Sequence, residues 1–151
     1  MKRLCVYLDT SVIGGCCDEE FAADSIQITD NIRAGIFDGF ISETTVRELI
    51  LAPDSVKSIF QSLTDFITML PLTDEVTDLA TKYIERRIIT ETYYEDALHI
   101  AFATVYAIDV LVSWNFKHIV NFRRIAQFNG VNLEMGYKPI AIHSPREVQV
   151  D

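Results

Sequence analysis

Apolar residues follow two rhythms along this chain. Short unbroken runs alternate with longer stretches in which apolar positions recur every three or four residues. Leu4 to Leu8, Phe40-Ile41, Ile67 to Leu70, Val110 to Ser113 and Pro139 to Ile142 are runs of the first kind and predict five short strands. Val56, Ile59, Phe60 and Leu63 meet the i, i+3, i+4, i+7 template of a helix, and Val76, Leu79, Ala80, Tyr83 and Ile84 meet it again. Further helices are expected over 26–37, ending near Asp38-Gly39; over 45–51, stopped before Pro53; over 93–107, apolar on most sides; and over 118–128. Strands that lack polar alternation belong in a parallel sheet buried on both faces. Their alternation with helices predicts a three-layer α/β/α sandwich around a central, mostly parallel sheet.

A chain of 151 residues suits one domain over 1–151, able to bury roughly 70% of its unfolded surface without a disulfide or structural metal. The net charge of −9 is unevenly spread: residues 1–113 carry 8 basic and 19 acidic side chains, residues 114–151 carry 5 and 3. An acidic body is a poor general binder of nucleic acid, because phosphate contacts need cations. Positive charge for a phosphodiester would come from bound metal or from the basic C-terminal part. Cys5, Cys16 and Cys17 form no C-x-x-C pair, which points to a reducing compartment without a thiolate zinc site. With neither a signal-peptide pattern nor a membrane-length apolar stretch, a cytoplasmic protein is expected.

In open parallel sheets, sites form beyond the carboxyl ends of the strands. The first strand ends in Asp9-Thr10-Ser11, and the last apolar run before the basic region ends in Ser113-Trp114-Asn115. Glu48 follows the second strand, and Glu95-Asp96 opens the apolar helix. Each has a local explanation. Asp9-Thr10-Ser11 suits a helix cap, Thr45-Val-Arg-Glu48 a capping box, Asp96 a helix N-terminus and Asn115 a turn. Together, though, they set Asp9, Glu48 and Asp96 at one sheet edge. Two carboxylates at about 4 Å repel by about 4 kcal/mol at an effective dielectric near 20, and a hard divalent cation offsets that directly.

The segments "VYLDTSVI", "ISETTVRELI", "YYEDALHIAFA" and "VLVSWNFKHIV" resemble, in order, the four motifs of the PIN domain. The resemblance implies a metal-dependent endoribonuclease, of the kind that serves as the toxin in VapC-type type II toxin–antitoxin pairs. It implies Asp9, Glu48 and Asp96 as the acidic site for Mg²⁺ or Mn²⁺, Thr10 and Ser11 as support for Asp9, and Ser113 as an orienting hydroxyl. Asn115 stands where the family commonly has an aspartate. This makes it a weakened fourth ligand and puts a second ion in doubt before substrate arrives, because a two-metal clamp needs bridging carboxylates. Water attack would leave a 5′-phosphate and a 3′-hydroxyl. A small antitoxin protein and a homodimer are implied as partners, with no membrane association.

Arg47, Lys117, Arg123 and Arg124 are candidate RNA contacts. His99, three residues after Asp96 on the same helical face, reads as a packing histidine, with contact to the site as the alternative; Trp114 and Phe116 read as packing residues, with base stacking as the alternative. Asn115 also keeps open a degenerate PIN fold that binds RNA or protein without cutting. A haloacid-dehalogenase-like phosphatase is disfavoured, since Ser11 and Ile13 stand where its D-x-[DT]-x-T pattern needs other residues.

Overall fold

A computed structural model describes residues 2–150. Among them, five strands form one sheet: β1 (Leu4–Leu8), β2 (Phe37–Ser42), β3 (Ile67–Leu70), β4 (Val110–Val112) and β5 (Ala141–His143). Their order is β3-β2-β1-β4-β5, and every neighbouring pair is parallel. The helices are α1 (Thr10–Gly15), α2 (Ala22–Arg33), α3 (Glu43–Leu49), α4 (Asp54–Leu63), α5 (Asp74–Glu85), α6 (Tyr94–Val105) and α7 (Phe122–Glu134), with a 3₁₀ turn at Glu91–Tyr93 before α6.

The pleat sends alternate strand residues to opposite faces. Val6, Leu8, Val110 and Val112 pack under α1 to α4, against Val12, Ile13, Ile28 and Leu63. Tyr7 and Leu111 face α5, α6 and α7, against Tyr83, Phe102 and Phe128. Both faces are covered, which gives the three expected layers. Because both sides of the central strands β1 and β4 are apolar, their runs show no period of two in the sequence. Among the described residues, no helix is long and apolar enough to cross a membrane.

Several elements differ from expectation, three of them with an evident local cause. Helix α1 is six residues long, too short to show a period. Helix α2 spans 22–33 rather than 26–37, because Gly35 takes a positive φ of 74° and its N–H closes on the Ile32 carbonyl. Asp38-Gly39 therefore ends no helix but lies inside β2. A Cβ on Gly39 would stand 2.9 Å from two Ile32 side-chain carbons, so glycine lets α2 close onto the sheet. Helix α7 spans 122–134 rather than 118–128. The Asn121 side chain accepts from the Arg124 N–H at 3.1 Å and sets its start, while the amides of residues 118–120 are committed to Asn115.

From β1 the chain goes to β2 on one side, and β4 is added later on the other. The strand order thus reverses between β1 and β4, and the crevice at such a switch point is where α/β sheets place their sites. Asp9 and Ser113 directly follow those two strands.

Candidate active site

Asp9 continues β1 by one bond, its N–H reaching the Val112 carbonyl at 3.3 Å, and then begins α1. Its carboxylate does not cap that helix. Ser11 Oγ donates to Oδ1 at 2.6 Å and Ser113 Oγ donates to Oδ2 at 2.6 Å. The direction of both hydroxyls is fixed: Ser11 Oγ accepts from the Trp114 N–H and Ser113 Oγ from the Asn115 N–H, each at 2.9 Å. Each hydroxyl's single proton is thus left for the carboxylate. Asp9 is 4% exposed. Burial pushes its pKa above the ordinary carboxylate value, and the charge of Asp96 adds to that push, against His99 and the two serines.

Asp96 is half-buried in the first turn of α6. Burial raises its pKa as well, opposed by His99, His118 and the hydrogen bond from Asn115, with Glu48 adding to the rise. Asn115 orients Asp96 through its amide nitrogen, which donates to Oδ2 at 3.2 Å. The amide oxygen accepts from the His118 N–H at 3.0 Å, and the backbone carbonyl accepts from the Ile119 and Val120 amides. Asn115 is therefore a turn residue and a donor to Asp96 at once, and its oxygen is turned into the loop. That differs from the expected role as an oxygen ligand.

Glu48 lies on α3 in a contrasting setting. The capping contact at the start of α3 is made by Thr45, whose Oγ1 accepts from the Ser42 N–H at 3.4 Å, so Glu48 is free of that role. Its Oε1 accepts from Thr10 Oγ1 at 2.8 Å and from His99 Nε2 at 2.6 Å. Burial would raise the Glu48 pKa, but the bond and charge of His99, with Thr10 and Arg47, hold it below the ordinary value. His99 is 1% exposed. Burial pulls its imidazole down, and the Glu48 bond with the charges of Asp9, Glu48 and Asp96 outweighs that, leaving it above the ordinary value. The other ring nitrogen, Nδ1, meets Tyr7 Oη at 2.7 Å, and Tyr7 Oη meets Ser42 Oγ at 2.7 Å. His99 is thus bound to the acidic site rather than only packed. Tyr7 reads in the sequence as an ordinary strand residue and Ser42 only as the end of the second strand, so neither points to His99.

The expected RNA contacts divide. Arg47 pairs with Glu95 at 2.7 Å, and Arg124 donates to the Ile88 carbonyl at 2.7 Å. Lys117 lies 5.8 Å from the Tyr93 ring centroid, and Arg123 is exposed. Trp114 is a packing residue. Its ring stacks on Phe21 at 4.2 Å, lies 5.5 Å from the Arg146 guanidinium and donates to Ser25 Oγ at 2.7 Å. Phe116 is 48% exposed. A cavity of about 400 Å³ lined by Ser11, Phe21, Trp114 and Asn115 opens beside the acidic residues.

Among the described residues, no group of three or more His, Cys, Asp or Glu side chains is placed to hold a metal ion together, the expected trio Asp9, Glu48 and Asp96 included. Mg²⁺ asks for less: one or two carboxylates, with water and substrate phosphate filling the octahedron. Asp9 and Asp96 suit that demand chemically. They are hard oxygen donors whose charge burial disfavours, held by hydroxyl and amide protons, and among the described residues neither forms an ion pair.

No family model matches the sequence, and no curated protein matches it. Solved structures do. VapBC2 from Rickettsia felis, solved bound to a promoter DNA fragment, aligns with a TM-score of 0.61 at 15% identity over 93% of this chain and 98% of that one. VapBC-1 from nontypeable Haemophilus influenzae aligns with a TM-score of 0.60 at 15% identity, over 95% and 99%. Mycobacterium tuberculosis VapC20, a toxin that cleaves the sarcin-ricin loop, aligns with a TM-score of 0.54 at 12% identity, over 90% and 98%. At such identities the likeness is one of architecture, and by it this chain has the PIN-like α/β/α fold.

Proposed function

We propose that this protein is a metal-dependent endoribonuclease acting as the toxin of a type II toxin–antitoxin pair. One observation carries the reading: Asp9 and Asp96 lie at the switch point of a PIN-like sheet with their charge disfavoured by burial and, among the described residues, in no ion pair. Aligned structures include a toxin–antitoxin complex from Klebsiella pneumoniae and a toxin that cleaves the sarcin-ricin loop, which supports the same reading.

Asp9 and Asp96 would hold Mg²⁺ or Mn²⁺. When bound, such an ion supplies Lewis acidity toward a phosphodiester and makes water a stronger nucleophile at neutral pH. The protein's own contribution is orientation. Ser11 and Ser113 fix both oxygens of Asp9, Asn115 fixes Asp96, and Glu48 keeps Oε2 without a hydrogen bond among the described residues, able to accept a proton from water. Lys117 and Arg123 are exposed at the C-terminal edge and suit an RNA backbone. The acidic residues 1–113 suit an antitoxin that covers the site with a basic side chain. A homodimer accords with the same reading.

A non-cutting binding module is the second reading, favoured by the Asn115 amide at the fourth position and by the absence, among the described residues, of a group of three His, Cys, Asp or Glu side chains placed to hold an ion. Incubation with Mn²⁺ and a mixed RNA pool separates them. Cleavage that Asp9→Asn abolishes is the expected result. Intact RNA with every divalent metal, together with retained RNA binding, would leave the second reading standing.

A further inference from the structure

A hydrogen-bonded chain runs from the core into the site. It passes from Ser42 Oγ to Tyr7 Oη (2.7 Å), to His99 Nδ1 (2.7 Å), from His99 Nε2 to Glu48 Oε1 (2.6 Å), and on to Thr10 Oγ1 (2.8 Å). The members come from β2, β1, α6, α3 and α1, so five elements must be in place for it to close. Ser42, Tyr7 and His99 are 0%, 0% and 1% exposed.

The proton order follows from the donor inventory. An ionised Glu48 accepts only, so Nε2 must donate to it. Tyr7 then either donates to Nδ1 or accepts from it, and the Ser42 hydroxyl rotates to suit. The Nε2–H bond to Glu48 is therefore the same with one proton on the ring or two. With Thr10 and His99 both on Oε1, that oxygen has its two lone pairs filled, and among the described residues Oε2 is left without a partner, on a side chain 32% exposed.

We propose that Tyr7 and His99 are positioning residues that lock one oxygen of Glu48 and reserve the other for water. This assigns Glu48 to proton transfer and leaves the ion to Asp9 and Asp96. The inference rests on the nuclease reading above. A polar core that merely stabilised the fold would need no member with a free oxygen at the switch point, and an apolar triad of similar volume would serve it as well.

The test compares Tyr7→Phe, His99→Gln and His99→Leu with Asp96→Asn. Turnover, KM and calorimetric Mn²⁺ affinity are measured, alongside melting temperature and ¹⁵N NMR of the imidazole in metal-free protein. Expected is a 10- to 100-fold loss of turnover in Tyr7→Phe and His99→Leu, the range typical of supporting residues at metal sites. Mn²⁺ affinity should be unchanged in both, and His99→Gln, which keeps an N–H donor, should recover part of the loss. Asp96→Asn should lose Mn²⁺ affinity instead. In metal-free protein a slowly exchanging Nε2–H should be visible and should move on Glu48→Gln.

Wild-type turnover in Tyr7→Phe and His99→Leu would overturn the proposal, as would Mn²⁺ affinity falling in step with turnover. Should His99→Leu fail to fold, Tyr7→Phe and His99→Gln decide alone. A wild-type protein that neither binds Mn²⁺ nor cuts RNA overturns the parent reading, and the NMR arm then still judges the positioning: an Nε2–H unmoved by Glu48→Gln overturns it.

Discussion

Asp9 and Glu48 belong to the same site and meet opposite surroundings. Asp9 is held by two serine hydroxyls whose protons backbone amides have already aimed, and burial lifts its pKa. Glu48 is held by an imidazole and a threonine, and its pKa falls below the ordinary value despite burial. One carboxylate has its charge only partly offset by its serine donors and His99; the other has its charge relieved by the protein itself. The contrast teaches which acid would gain from a cation arriving. Asp9 would gain, and Glu48, already served by His99, would gain little.

The largest expected effect breaks that contrast at Asp9. Asp9→Asn should lower Mn²⁺ affinity and RNA cleavage by more than about 100-fold, beyond the range for supporting residues, as read by calorimetry and a cleavage assay. Stability at neutral pH should hold or rise by about 1 kcal/mol in urea unfolding, since a buried charge is removed from a site where function opposes stability. Glu48→Gln should do the reverse. The charge-assisted bond to His99 is lost, and urea unfolding should show a drop of about 1.5–3 kcal/mol while Mn²⁺ affinity is retained.

Ser113→Ala sharpens the comparison from the Asp9 side. It removes one donor to the carboxylate and leaves the Asn115 N–H without its acceptor, so a stability loss of about 1 kcal/mol is expected. Metal affinity should fall about 10-fold.

The smallest effect is in the pH profile. Asp9 and Asp96 have raised pKa values, so the native state holds their protons more tightly than the unfolded chain does. Their contribution is present below the ordinary carboxylate range and is lost as pH rises through the raised values. Glu48 contributes above the ordinary range and loses its contribution as pH falls through its lowered value. The raised imidazole of His99 contributes below the ordinary histidine value and loses it as pH rises through the raised one. Mn²⁺ should therefore raise the melting temperature more at pH 7 than at pH 5, by about 3 °C, and Asp9→Asn should erase the difference in a thermal scan.

The strand ends and the acids that follow them were legible in the sequence, because short apolar runs stop abruptly at Asp9 and Ser113. The supports were less so. Ser11 lies near Asp9 in the chain, but its hold on the Trp114 amide joins residues 103 positions apart. Tyr7 sits in an apolar run whose two faces are both covered, so nothing local says that its hydroxyl meets Ser42 and His99. His99 has the helical spacing that sets it beside Asp96, yet its partner is Glu48 on another element. Gly39 misled for a related reason: Asp38-Gly39 looks like a helix stop, and only the closeness of Ile32 reveals a strand glycine.

The side-chain amide of residue 115 faces two ways, and an exchange to aspartate would divide its duties. Its inward oxygen would still clasp the loop at His118, so the strand-to-helix passage would keep its shape. On the other flank, the proton now offered to Asp96 would give way to a second anionic oxygen. Asn115→Asp is thus a single-atom dial on how much cationic charge the crevice demands, set apart from the backbone that carries it.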